Sequence, residues 1–198
     1  MRSIIDNSYP FQFIGINEDG TFIYYFESIG ALLVKKRVRI SLLYESRPDI
    51  YNIALVNEEL DNHGNTIESD TSRLNNLDWD KVLNTVFLCG FDFIRSHNWA
   101  YLIFFGNSFH KQIVYKRKVT ANLKMLEKEF NVYGGFATYD IEYEDAYGNI
   151  ILPTDNNFEE KKNGLTKTPV NVIFKGYELY KKENSKKYDF ILMKLKPT

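Results

Sequence analysis

Hydrophobic and polar positions alternate most clearly between Val34 and Leu42. Val34, Val38, Ile40 and Leu42 share one face with Lys36 among them, while Lys35, Arg37, Arg39 and Ser41 share the other. That period of two is the mark of a strand with one buried face. A short aromatic and β-branched run, Phe22 to Phe26, precedes it as another strand, and Glu27-Ser28-Ile29-Gly30 supplies the turn between them. Ile50 to Val56 predicts a third strand, with Pro48 in the ESRPD turn marking where a central strand cannot continue. Three sequential strands with short links fold most simply as an antiparallel meander.

The period then changes. Asn57 to Asp70 is polar and aperiodic and predicts a loop. From about Asn76 to Ser96, Trp79, Val82, Leu83, Val86, Phe87, Phe93 and Ile94 recur at three-and-four spacing, which predicts an amphipathic helix. Asn75-Asn76 offers its cap, and Asp78 and Asp80 place negative charge in its first turn. Gly90 falls on the same stripe, costs about 1 kcal/mol in a helix, and so predicts close packing there. Ala100 to Phe105 is continuously apolar and ends at Gly106, the pattern of a central strand covered on both faces. Ser108 to Phe130 reads as helical, in two pieces if Thr120-Ala121-Asn122 breaks and recaps it, and Asn131 to Gly135 reads as the turn that follows.

The last third predicts strands at Phe136 to Tyr143, Asn149 to Leu152, Val170 to Tyr180 and Lys187 to Leu195, with a polar loop over 153 to 169. The order is βββαβα followed by C-terminal strands. This is an α+β fold, with two main helices on a mixed, mostly antiparallel sheet. One domain over residues 1–198 is expected, with an inserted hairpin and loop around 144–180.

Composition narrows the class. The chain has 198 residues, 44% of them hydrophobic and 16% aromatic, so it can bury a core. With 25 Lys+Arg against 26 Asp+Glu it is not globally basic. The balance conceals segregation, however. Residues 57 to 80 hold seven acids against the single cation Arg73, whereas His110 to Lys124 hold five cations and no acid. The single cysteine, Cys89, can form neither an internal disulfide nor a multi-thiolate zinc site, which points to a reducing, cytoplasmic setting. No run reaches the roughly 18 apolar residues of a membrane span, and Asp6 interrupts any signal-peptide core, so no membrane association is expected.

Candidate chemistry centres on the strand-to-helix junction. Gly106, Asn107 and Ser108 offer backbone donors at a helix start, with His110 and Lys111 in the first turn, an arrangement suited to a phosphate-sized anion; capping by Ser108 explains the same residues without a ligand. Lys111, Tyr115 and Arg117 on the helix, and Lys35, Arg37 and Arg39 on the strand, would make a basic groove if the two surfaces adjoin. The plain alternative is a solvated surface balanced by the acids of residues 57 to 80.

The element order resembles that of ribonuclease-H-like nucleases, but only Glu27, Asp78 and Asp80 offer carboxylates and the fourth strand ends without one, which argues against a two-metal site. His63, His97 and His110 lack metal-ligand spacing, so neither a metal nor a cofactor is expected. Cys89, between hydrophobic neighbours, reads as core filling. Metal-independent RNA cleavage by His110, Lys111 and Tyr115 stays open as an enzymatic alternative.

Several segments together resemble an uncharacterised domain-of-unknown-function family of small bacterial proteins. They are Phe26-x-Ser28-x-Gly30, Lys36-x-Val38, Tyr51-Asn52, Asn75-Asn76-x-Asp78-x-x-Lys81-Val82-Leu83-x-Thr85-Val86, Gly106-Asn107-Ser108-x-x-Lys111-x-x-x-Tyr115, Phe130-x-Val132-Tyr133-Gly134 and Tyr188-Asp189-Phe190. In that family the junction reads Gly-Ser-Ser/Thr-x-x-Arg-x-Arg-Leu-Tyr. Lys111 here replaces the first arginine and Ile113 the second, which implies a weaker grip on any shared anion.

The resemblance implies a common fold and site, without a reaction. Three functions follow as expectations. The first is a module that binds an anion, a phosphorylated ligand or nucleic acid. The second is a ribonuclease-type toxin or phage-defence effector, and the third a subunit that binds a protein partner.

Overall fold

The computed structural model describes residues 4, 6–44, 47–60, 66–69, 78–106, 109–145, 149–155 and 158–197. They group into two compact units. The first comprises Met1–Ile103, Lys128–Phe130 and Met193–Thr198, and the second Phe104–Glu127 and Asn131–Leu192.

In the first unit, β1 (Phe11–Ile16), β2 (Phe22–Ile29), β3 (Leu33–Tyr44), β4 (Arg47–Leu60) and β5 (Thr66–Ser69) pair antiparallel in sequence order. A helix, α1 (Trp79–Ser96), then carries the chain to β6 (Tyr101–Phe104), which pairs with β4 in parallel from Ile50↔Tyr101. A crossover through a helix is what a parallel neighbour requires. The alternation along β3 appears as expected: Val34, Lys36, Val38 and Ile40 are buried, whereas Lys35 is exposed. Lys36 is accommodated because its Nζ donates to Oδ1 of the opposite residue, buried Asn57, at 2.5 Å. Leu42, at the end of that face, is exposed.

Several boundaries differ from the sequence expectation. The β2 strand runs through Glu27-Ser28-Ile29, because each of these pairs with β3. The β4 strand begins at Arg47 and includes Pro48, which is tolerated at a strand's start, where one missing donor interrupts little of the ladder. The expected loop over Asn57 to Asp70 contains the end of β4 and all of β5, held by main-chain pairing that polar side chains do not forbid. The FQFIGI strand β1 escapes periodicity because Phe13, Ile14 and Ile16 are all exposed.

Helix α1 is buried nearly all round from Val82 to Ile94. Its polar positions are covered by the segment before β1: Asn84 Nδ2 donates to the Asn7 carbonyl at 2.6 Å, and the Tyr9 N–H donates to Thr85 Oγ1 at 2.8 Å. Trp79, placed on the apolar stripe by its spacing, is exposed. The expected cap at Asn75-Asn76 lies outside the described residues; Asp78 occupies the N-cap position without capping through its side chain. Instead Asp78 Oδ2 accepts the hydroxyls of Tyr9 at 2.7 Å and Ser28 at 2.5 Å, tying α1 to β2 and to the N-terminal segment.

The second unit holds α2 (Phe109–Leu126), β7 (Phe130–Glu144), β8 (Ile150–Ile151), a single turn α3 (Phe158–Lys161), β9 (Thr166–Leu179) and most of the approach to β10 (Phe190–Leu195). The β7 and β9 strands form a long antiparallel pair from Tyr133↔Leu179 to Glu144↔Thr166. The α2 helix is continuous through Thr120 and Asn122. Their side chains bond to the carbonyls of Lys116 and Lys118, one turn back, instead of recapping the chain. Phe130 starts a strand and does not close the helix, and Asn131 to Gly135 is strand and not turn. Gly134 and Gly135 are glycines because rings lie on them: a Cβ would sit 2.4 Å from Tyr188 and 1.9 Å from Phe190.

The overall class is α+β with mostly antiparallel strands. Among the described residues no helix is long and apolar enough to cross a membrane.

Candidate functional site

The second unit contains a groove of about 720 Å³ between α2 and the connection from β9 to β10. The helix contributes Gln112, Ile113, Lys116, Arg117, Thr120 and Ala121, positions spaced so that they recur on one face. Lys182, Ser185, Lys186, Tyr188 and Asp189 form the opposite wall, and Tyr139 of β7 completes it. Four cationic side chains therefore surround one carboxylate.

The carboxylate is fixed by its neighbours. Asp189 Oδ2 accepts the Ala137 N–H at 2.8 Å, and Oδ1 receives the Tyr139 hydroxyl at a longer 3.4 Å. Burial raises the Tyr139 hydroxyl above its ordinary pKa, and the Asp189 charge adds to that. Lys116 Nζ donates to the Tyr188 carbonyl at 2.7 Å. Burial holds its ammonium below the ordinary value, with Asp189 pulling the other way. Arg117, Lys182 and Lys186 make no salt bridge among the described residues.

The floor is rigid. Tyr188 is 1% exposed; its hydroxyl donates to Glu178 Oε1 at 2.8 Å and accepts the Lys181 N–H at 3.2 Å. That hydroxyl also holds the Glu178 carboxyl below its usual range, with Lys181 assisting. Thr120 Oγ1 meets the Tyr180 hydroxyl at 2.6 Å.

The sequence-derived candidates fall into three places. Of the helix residues, Arg117 lines the groove. Lys111, six residues earlier, is partly exposed, and Tyr115 is buried with its ring edge-on to Phe104 at 5.8 Å. Gly106 is buried, and a Cβ there would fall 2.5 Å from Lys111 Cβ and 2.7 Å from the Gln112 nitrogen. Its carbonyl accepts Gln112 Nε2 at 3.2 Å. Close approach to the helix backbone thus accounts for this glycine. Asn107 and Ser108 lie outside the described residues, as does the His110 side chain.

Lys35, Arg37 and Arg39 belong to the first unit. Lys35 is exposed, Arg37 Nε pairs with Glu58 at 2.5 Å and Arg39 with Asp19 at 3.7 Å. One of the acids from the 57–80 stretch therefore does balance this strand. Of the remaining residues weighed for chemistry, His97 closes α1 through Nδ1 at 3.0 Å from the Phe93 carbonyl and stacks on Phe93. Cys89 is fully buried, which drives its thiol pKa well up, and His63 lies outside the described residues.

Reading the sequence did not find the groove's second wall. The available signals were the basic run Lys181-Lys182-Glu183-Asn184-Ser185-Lys186-Lys187 and the Tyr188-Asp189-Phe190 motif beside it.

A family of unknown function (DUF6934) matches residues 6–149. No curated protein and no solved structure matches the chain. The helix wall and Tyr139 fall within the matched residues, and Lys182 to Asp189 fall beyond them.

Proposed function

We propose, for a chain that belongs to the DUF6934 family of unknown function, that it is an anion-binding module whose groove between α2 and the β9–β10 connection takes a phosphate-bearing ligand. One observation carries this reading: Lys116, Arg117, Lys182 and Lys186 line a single concavity whose one acid, Asp189, is already engaged by the Ala137 N–H. Four like charges brought together repel one another, a cost that an anion relieves. The fixed Lys116 ammonium supplies an anchor, and the exposed Arg117, Lys182 and Lys186 supply reach.

Titration calorimetry with inorganic pyrophosphate tests it. Binding should weaken as salt rises, and Arg117→Ala or Lys186→Ala should each lower affinity about tenfold, the equivalent of roughly one charge-assisted hydrogen bond. Undetectable binding, or affinity indifferent to both substitutions, overturns the reading. A labelled single-stranded RNA titrated alongside decides whether the phosphate source is a nucleic acid.

A further inference from the structure

The groove carries a more specific assignment, which rests on the anion-binding reading. Four cations less one carboxylate leave a formal charge of +3 along its walls. A phosphate monoester carries about −1.5 to −2 at neutral pH, so charge balance calls for two phosphoryl groups. Two phosphoryl groups do not account for the rest of the space. At about 720 Å³ the groove is in the range that holds a whole organic ligand, and its walls include Ile113, Ala121 and the Tyr139 ring.

The position of Asp189 is informative. A carboxylate inside a site for bare polyanions repels them, yet here it is held in place by the Ala137 N–H and Tyr139. Oδ1 has a single long contact among the described residues, at 3.4 Å, so it keeps acceptor capacity for a donor on a ligand. A sugar hydroxyl or a base amino group is such a donor, and the flat Tyr139 ring beside it suits a planar heterocycle.

We infer that the groove binds a nucleoside diphosphate, with the two phosphoryl groups on Lys116, Arg117, Lys182 and Lys186 and the nucleoside against Asp189 and Tyr139. Asp189 is then the specificity-determining residue, selecting a donor-bearing organic phosphate over inorganic polyphosphate. Because Lys182 to Asp189 lie beyond the family-matched residues, this selectivity belongs to the C-terminal part of the chain.

Calorimetry with adenosine diphosphate, inorganic pyrophosphate and adenosine decides the point. The diphosphate should bind at least tenfold more tightly than pyrophosphate, and adenosine should not bind measurably without its phosphates. Asp189→Asn should shrink that advantage several-fold while pyrophosphate affinity holds or rises. Ala121→Trp, on an exposed helix position, should fill the organic part of the groove and weaken only the nucleotide, and it serves if the Asp189 variant does not fold by circular dichroism. Pyrophosphate binding as tightly as the nucleotide overturns this inference and leaves the anion site standing. So does a nucleotide advantage unchanged in both variants. Failure of both phosphates to bind removes the anion site as well.

Discussion

Substituting Gly135 by alanine separates two explanations of a glycine. If the residue served a turn, the penalty would come from its own backbone. In the structure it lies inside β7, and the penalty comes from a ring 55 positions further along the chain. An added Cβ would sit 1.9, 2.0 and 2.5 Å from three atoms of Phe190, against an ordinary contact of 3.4 Å or more. The ring must therefore withdraw by about 1.5 Å, the difference between the first and last of those distances. Phe190 is 3% exposed and sits edge-on to Phe174 at 4.7 Å, so it has little room. Overpacking of this kind costs about 1–3 kcal/mol, offset by roughly 0.5–1 kcal/mol from replacing a strand glycine.

A net loss of about 1 kcal/mol is expected, or a fall of about 2–4 °C in Tm for a chain of this length. Urea unfolding of Gly135→Ala, Phe190→Leu and the double variant checks it. With the ring gone only the strand-glycine term remains, so Gly135→Ala should stabilise by about 0.5 kcal/mol, giving a coupling of about 1.5 kcal/mol. An equal cost of Gly135→Ala in both backgrounds refutes the close-packing argument.

Three further outcomes are expected. Asp78→Ala removes the acceptor of two hydroxyls, those of Tyr9 and Ser28, and should cost about 3 kcal/mol by chemical denaturation, whereas Glu27→Ala on the exposed face should cost under about 0.5 kcal/mol. Asn57→Leu should cost about 1–2 kcal/mol by removing one acceptor from the buried Lys36 ammonium, and adding Lys36→Met should restore part of that loss in the same assay. The third concerns pH. Lys116 has a folded pKa below its ordinary 10.5, so between the two values the unfolded chain binds more protons than the native one, and stability rises with pH there. Relative to Lys116→Met, which does not titrate, the native protein should therefore gain stability as pH climbs toward 10, before tyrosine ionisation intervenes. A flat difference between the two curves would contradict the burial of that ammonium.

Local order was legible wherever one element decided it. The alternation of β3 follows from burial on one side, and the three-and-four spacing marks α1 even though that helix is buried nearly all round. What failed had distant causes. Lys36 looks misplaced on an apolar face until β4 brings Asn57 opposite it. Gly134 and Gly135 look like a turn until residues 188 and 190 lay rings on them. Thr120 and Asn122 look like a helix break because their side chains compete for backbone, yet within α2 they bond one turn back and leave the ladder intact.

The groove was the least legible feature. The cationic helix face, Arg117 included, is visible in the sequence. The opposite wall, some seventy positions away, shows in sequence only as a run of lysines next to a short motif, and no periodicity links the two.

The notch left by Gly134 and Gly135 also sets an order of events during synthesis. Residues that fill it leave the ribosome 54 and 55 positions after the glycines, a lag of several seconds at ordinary elongation rates. By the end of that interval β7 has strand partners available in β8 and β9 but no rings to seat on its bare backbone. The nascent second unit is therefore a frame awaiting its last piece, and the same piece carries Asp189. The groove cannot be complete until the residues that cover those glycines have been made.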